Sequence, residues 1–209
     1  LLWRILSDLN LPSLTLEINN LGYTADRDTY RPHLVSYLRQ QESGLCANCR
    51  HRIDANPLRV LDCKVPECRA ITETAPRLGD SLSEAARSYF TQVLTGLDII
   101  KIPYSLNHRL VRGLDYYNLT TFEVTATNLG AQNAVGAGGR YDGLVETLGG
   151  PPTPAVGFAI GLERMSMLLP ESATGGARED LAIYVAGFGN HGTVAGLTAL
   201  EELRLAGLR

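Results

Sequence analysis

The spacing of apolar residues changes once along the chain, near residue 98, and that change decides the fold class. Before it, Ser81 with Glu84 three residues on reads as a capping box, the side-chain pair that closes a helix N-terminus. Ala85, Ala86, Tyr89, Phe90, Val93, Leu94 and Leu97 then recur at helical spacing, one apolar stripe. After the change, Ile99–Tyr104, Thr121–Thr127, Asn133–Ala137 and Ala155–Ile160 read as strands between turns that carry Gly and Asn. Strands joined without helical crossovers pair antiparallel, because a parallel neighbour needs a long return path. The expectation is an α+β protein built on an antiparallel sheet.

The flanking segments extend this plan. Residues 1–22 read as a short helix over 1–11 and an alternating strand at Leu14-Thr15-Leu16-Glu17-Ile18. Residues 23–98 are mainly helical, and 99–170 hold the strands plus a helix that opens at Gly161 and runs through Leu169. Residues 171–180, rich in Ser, Thr and Gly, form a linker by composition. In 181–209 an apolar strand, Leu181–Ala186, precedes a helix, Thr193–Ala206, closed by Gly207: the opening of an α/β unit. Nineteen basic against twenty-two acidic residues give a net charge of -3, so bulk charge does not announce a nucleic-acid partner and leaves a local basic face open. No apolar run has the length of a membrane span and no signal-peptide pattern opens the chain, which points to the cytoplasm. The chain opens on Leu1-Leu2-Trp3-Arg4 without methionine, and a fragment is the expected reading.

Three clusters carry the chemistry. In Leu110-Val111-Arg112-Gly113-Leu114-Asp115-Tyr116-Tyr117 the planar guanidinium of Arg112 suits two-point grip on a phosphate or carboxylate. Successive tyrosines on a strand face opposite sides, so only one lines a given pocket. An exposed turn arginine beside core tyrosines is the competing reading. In Gly136-Ala137-Gly138-Gly139-Arg140-Tyr141-Asp142-Gly143 the bare backbone of Gly138-Gly139 suits close approach to a ligand, or alternatively a hairpin bulge. In Ala155-Val156-Gly157-Phe158-Ala159-Ile160-Gly161-Leu162-Glu163-Arg164 a cation sits in the first turn of a helix, against the macrodipole preference. A polyphosphate held beside that helix start would account for it; an ordinary surface arginine would too.

Cys46, Cys49, Cys63 and Cys68 make a C-x2-C … C-x4-C pattern with thirteen residues between the pairs, close to structural zinc spacing. Buried reduced thiols are the alternative, and His51 is a substitute ligand by position. The same span carries Arg50, Arg52, Arg59, Lys64 and Arg69 against Asp54, Asp62 and Glu67, an excess that suits an RNA backbone and equally a solvated face.

Arg112-Gly-Leu-Asp-Tyr-Tyr117 and Ala137-Gly-Gly-Arg-Tyr-Asp-Gly143 resemble the two histidine-specific motifs of histidyl-tRNA synthetases, and Gly157 through Arg164 resembles motif 3 of class II aminoacyl-tRNA synthetases. Asn56-Pro-Leu-Arg-Val-Leu-Asp62 and Ala75-Pro-Arg-Leu-Gly-Asp80 are similar to that family's insertion domain. The resemblance implies a partial class II antiparallel sheet with a helical insertion domain over 23–98, catalytic core in 1–22 and 99–170, and the start of an anticodon-binding domain at 181. It implies ATP, used with Mg2+, as substrate: histidine attacks the α-phosphate to give histidyl-adenylate, and the histidyl group passes to tRNA(His). Arg112 would be the catalytic arginine, touching the α-phosphate and the histidine carboxylate. Tyr116, Tyr117, Gly138, Gly139 and Tyr141 would form the histidine pocket, with the Tyr117 hydroxyl on the imidazole. Arg164 would hold the ATP triphosphate and cover the adenine. The full-length enzyme would be a homodimer. The family does not need zinc for its reaction.

Motifs 1 and 2 of that family are not found in this chain, so these 209 residues alone are expected to be inactive. Other readings are a synthetase-like regulator without catalysis, a zinc-stabilised RNA-binding module, and motifs that are all structural. The intact Arg112–Tyr117 segment speaks against the first, the glycine and tyrosine clusters against the second, and the joint order of the motifs against the third.

Overall fold

The computed structural model describes residues 1–114, 116–130, 132–169, 183 and 185–207. A short helix, α1 (Leu2–Asp8), leads into β1 (Leu14–Asn20). Helices then run through α2 (Thr24–Gln40), α3 (Ala47–Ala55), α4 (Leu58–Leu61), α5 (Pro66–Glu73) and α6 (Glu84–Ile99). The strands β2 (Ser105–Leu106), β3 (Asn118–Ala126) and β4 (Ala134–Arg140) follow, then α7 (Leu144–Thr147) and β5 (Val156–Ile160). Helices α8 (Leu162–Leu168) and α9 (Gly189–Leu205) complete the described chain.

The five strands form one sheet in the order β2-β1-β3-β4-β5. Every pairing is antiparallel except β1 with β2, which is parallel through two residue pairs. The α+β expectation therefore holds, with one parallel edge that the spacing of apolar residues does not reveal. Alternation along the strands separates two environments. Leu16 and Val124, partners across β1 and β3, join Leu6 of α1 and Val135 in an apolar core. The next pair, Glu17 opposite Glu123, belongs to the other face.

A second core fills the helical segment around Tyr30, Leu34, Leu38, Ile53 and Val60 and continues without a break into Val111, Tyr117 and Leu119. Buried Asp26 ties the starts of α2 and α6 together. Its carboxylate accepts from the backbone N–H of Tyr23 at 2.8 Å, from Ser83 N–H at 2.8 Å and from the Ser83 hydroxyl at 3.2 Å. Hydrogen bonds to a charged group contribute about 1.5–3 kcal/mol and their loss leaves buried donors unpaired. Asp26→Ala should therefore lower unfolding free energy by roughly 2–3 kcal/mol in a denaturant titration, and a loss below about 0.5 kcal/mol would contradict this role.

Several expectations need correction. No strand forms over Ile99–Tyr104: α6 runs on to Ile99, Lys101 takes a positive φ of 54°, and the strand starts at Ser105. The N-cap of α6 is Ser83, whose hydroxyl accepts from Ala86 N–H, while Ser81 ends a 3-10 turn. Of the stripe on α6 only Ala86 is buried, Ala85 is exposed, and the larger residues are half-covered. The linker over 171–180 lies outside the described residues, as does half of the strand expected at Leu181–Ala186, whose described residues 183, 185 and 186 form no strand. Among the described residues no helix is long and apolar enough to cross a membrane.

Candidate active site

The loop before β3 delivers Arg112. Asn19 of β1 fixes this loop from below, donating its side-chain amide to the carbonyls of Leu110 at 3.0 Å and His108 at 3.4 Å. Arg109 Nε donates to the Leu61 carbonyl at 3.1 Å, which joins the loop to the end of α4. Arg112 Nη1 then reaches Glu123 Oε2 at 3.1 Å, with both side chains largely buried. Its Nε is buried without an acceptor among the described residues. Burial raises the Glu123 carboxyl above its usual range and the Arg112 guanidinium pulls against that rise. One edge of the guanidinium is thus fixed by a carboxylate, which orients the remaining donors.

Glu17, directly across from Glu123, accepts from the Asn107 side chain at 2.6 Å. Two carboxylates opposite each other repel, and Asn107 and Arg112 each relieve one of them. Both acids, Arg112, Lys64 and Arg164 line one cavity of about 510 Å³. Arg164 is the third residue of α8, and its guanidinium donates to the Ala134 carbonyl at 2.9 Å and Gln132 Oε1 at 3.0 Å. The two arginines expected to act on phosphates therefore share a cavity. Glu17, Asn107 and Glu123 were not singled out from sequence. The available signal was a charged residue in mid-strand, in Leu-Glu-Ile and Phe-Glu-Val, where a buried partner is needed.

The three tyrosines pack on one another, and Tyr117 lines a second cavity, of about 290 Å³, that Arg112 also reaches. The Tyr116 and Tyr117 ring centroids lie 4.6 Å apart, and Tyr141 meets them edge-on at 5.7 and 5.9 Å. The expectation that Tyr116 and Tyr117 face opposite ways is overturned, because both precede β3 and the strand alternation does not yet apply. Leu119, at φ 49°, and a register shift between Asn118 and Thr121 turn the chain there. Arg112 lies 5.8 Å from the Tyr117 ring centroid. Burial first, then the Tyr116 hydroxyl, raises the Tyr117 phenol above its usual range, so it stays protonated and able to donate.

The paired glycines of β4 divide between different tasks. A Cβ on Gly139 would come within 2.8 Å of both the Tyr117 ring and the Thr120 carbonyl, so bare backbone is what lets Tyr117 settle. On Gly138 a Cβ would strike the Gly157 carbonyl and crowd Phe158, so bare backbone there lets β5 approach closely. Gly157 itself seats Tyr141, whose hydroxyl would lie 2.5 Å from an added Cβ.

A second cluster lies where three helix ends meet. Cys46 caps α3, Cys49 lies in its first turn, Cys63 follows α4, and Cys68 lies in the first turn of α5. The four sulfurs all lie within 4.8 Å of one another, and no pair is joined as a disulfide. Zinc bound to four thiolates at about 2.3 Å holds them roughly 3.8 Å apart at the tetrahedral edge, a small contraction of this arrangement. The Cys46 N–H donates to Cys68 Sγ at 3.2 Å. The Cys49 N–H lowers the Cys46 thiol to about 7, and burial pushes Cys49 and Cys68 upward. His51 is exposed and stands outside the group.

The sheet thus presents Arg112 and Arg164 to one cavity, with a cluster of three tyrosines packed next to Arg112. Residues 54–165 match the family model described as histidyl-tRNA synthetase. The histidine--tRNA ligase of Nitratidesulfovibrio vulgaris (strain DP4) is 46% identical over 209 residues, which cover 100% of this chain and 49% of that protein. That of Anaeromyxobacter dehalogenans (strain 2CP-1 / ATCC BAA-258) is 46% identical over 193 residues, 92% of this chain and 47% of the relative. Among solved structures, apo S. aureus histidyl-tRNA synthetase superposes with a TM-score of 0.63 at 33% identity, covering 99% of this chain and 51% of that one. The chain belongs to the histidyl-tRNA synthetase family, and it spans about half the length of the curated relatives it matches.

Proposed function

We propose that this chain is the part of a histidine–tRNA ligase that grips the α-phosphate of ATP and recognises histidine. The observation that carries this reading is Arg112 itself, which shares one cavity with Arg164 and a second with Tyr117, the ring on which Tyr116 and Tyr141 pack. ATP enters as its Mg2+ complex. Arg112, oriented by Glu123, spreads positive charge over the α-phosphate as the histidine carboxylate attacks it, and pyrophosphate leaves. Arg164, anchored at the mouth of β4, holds the triphosphate tail. Tyr117 donates to an imidazole nitrogen, with Tyr116 and Tyr141 closing the sides and Gly139 beneath. In the second step the histidyl group passes to the terminal ribose of tRNA(His). Lys64, Arg69 and Arg109, along one wall of the same cavity, suit an RNA backbone there. The whole enzyme acts as a cytoplasmic homodimer in this reading, with residues 23–98 as its insertion domain and the segment from 181 opening its anticodon-binding domain.

The cysteine centre holds one structural Zn2+ through Cys46, Cys49, Cys63 and Cys68. The all-sulfur donor set and the convergence of the four Sγ atoms fit that ion, which would tie three helix ends together. It takes no part in the chemistry.

Histidine-dependent ATP–pyrophosphate exchange by a full-length synthetase carrying this segment tests the function, with the other amino acids as controls. In that assay Tyr117→Phe should weaken histidine by about 1–3 kcal/mol and leave ATP unaffected, the cost of one buried hydrogen bond. Unchanged histidine affinity with impaired ATP binding would reverse the assignment of the tyrosine.

A further inference from the structure

Gly113, next to the arginine that grips phosphate, has an ordinary backbone conformation: it is absent from the positive-φ residues. What a side chain there would change is therefore the placing of its neighbour. A Cβ there would stand 2.5 Å from Arg59 Nη1, 3.2 Å from Cζ and 3.7 Å from Nη2, so a guanidinium lies flat against the loop where a side chain would begin. Arg59 comes from α4, about fifty residues earlier. Its Nε stands 3.7 Å from Asp62 Oδ2, and its carbonyl accepts from Arg52 Nη1 at 3.2 Å. Asp62 lines the cavity with Arg112. The same turn of α4 meets the loop a second time, through Arg109 Nε on the Leu61 carbonyl. On its far side the loop is held by the Arg112–Glu123 pair. The segment from Arg109 to Gly113 is therefore clamped between α4 and β3.

We propose that Arg59 is a positioning residue for Arg112: its guanidinium, with Asp62 nearby at 3.7 Å, packs on the Gly113 backbone and fixes the height from which Arg112 reaches the cavity. The pairing explains both residues at once. Gly113 leaves the space, and Arg59 fills it with a rigid plane that lysine does not provide. It also makes the helical segment part of the site's geometry without touching substrate. This inference rests on the assignment of Arg112 to the α-phosphate made above.

The test is a set of variants in the full-length synthetase, measured by pyrophosphate exchange. Arg59→Ala should lower kcat about tenfold with little change in either KM, since displacement near 1 Å costs up to two orders of magnitude. In an Arg112→Ala background the same substitution should cost nothing further, because Arg59 acts only through Arg112. Gly113→Ala should displace the Arg59 guanidinium and lower kcat by about the same tenfold, and Arg59→Ala/Gly113→Ala should be no worse than either variant alone. Thermal melting separates positioning from folding, and Arg59→Met, which keeps the aliphatic stem, replaces Arg59→Ala if the latter unfolds. Effects that multiply in both double variants overturn the proposal. A wild-type enzyme without histidine-dependent exchange would instead sink the functional reading on which it stands.

Discussion

Arg112→Ala in a full-length synthetase should slow histidine-dependent pyrophosphate exchange by about two to three orders of magnitude, the scale for removing one preorganised donor from a site where charge develops. The reason lies in how the side chain is held. Glu123 occupies one edge of the guanidinium, and the Tyr117 ring lies beside it, so the remaining donors are aimed before substrate arrives. Arg112→Lys should fare little better, since a single ammonium cannot bond Glu123 and a phosphate oxygen in one plane. Removing the arginine also strands a largely buried carboxylate opposite Glu17, so the Glu123 carboxyl should rise further above its usual range. Exchange within a factor of three of wild type would take Arg112 out of the mechanism.

The second large effect concerns metal. Purified protein should contain about one zinc per chain, and stripping it should unravel the helix ends that carry Cys46, Cys63 and Cys68. Binding free energy of a structural zinc is folding free energy, on the order of 10 kcal/mol in small domains, although here the surrounding core retains part of the structure without it. Cys49 and Cys68 are fully buried beside Ile53 and Val60, so Cys49→Ser should abolish metal retention and lower the melting temperature by roughly 10 °C or more. Metal analysis near zero in protein purified without chelators, or four thiols that titrate without releasing zinc, would leave the cysteines as ordinary core residues.

What the sequence discloses follows from the range of the interactions. Arg112, Tyr117, Gly139, Tyr141 and Arg164 stand in short segments whose residue types already suggest a task, and the folded chain joins the arginines in one cavity and packs the other three around Tyr117, next to Arg112. The strands β1, β3, β4 and β5 were legible because alternation is local. What failed was set by partners far along the chain. Ser105 and Leu106 become a strand only because Glu17 and Ile18 lie alongside, and two residues carry no period of their own. Tyr116 and Tyr117 share a side because both stand before β3, where the alternation has not begun, and no residue type nearby marks that boundary. The match of Gly113 to Arg59 needs both ends of a contact spanning more than fifty residues.

The unbroken core from Tyr30 through Val60 to Tyr117 and Leu119 limits how this protein can be recombined. A segment inserted into a sheet usually behaves as a cassette, exchangeable at its two junctions. Here, excising residues 23–98 would expose Tyr117 and Leu119, along with the surfaces they cover. Chimeras that trade the helical segment between relatives must therefore carry the loop from Val111 to Leu119 with it. The heritable module is the pair, helices and loop together, rather than either one alone.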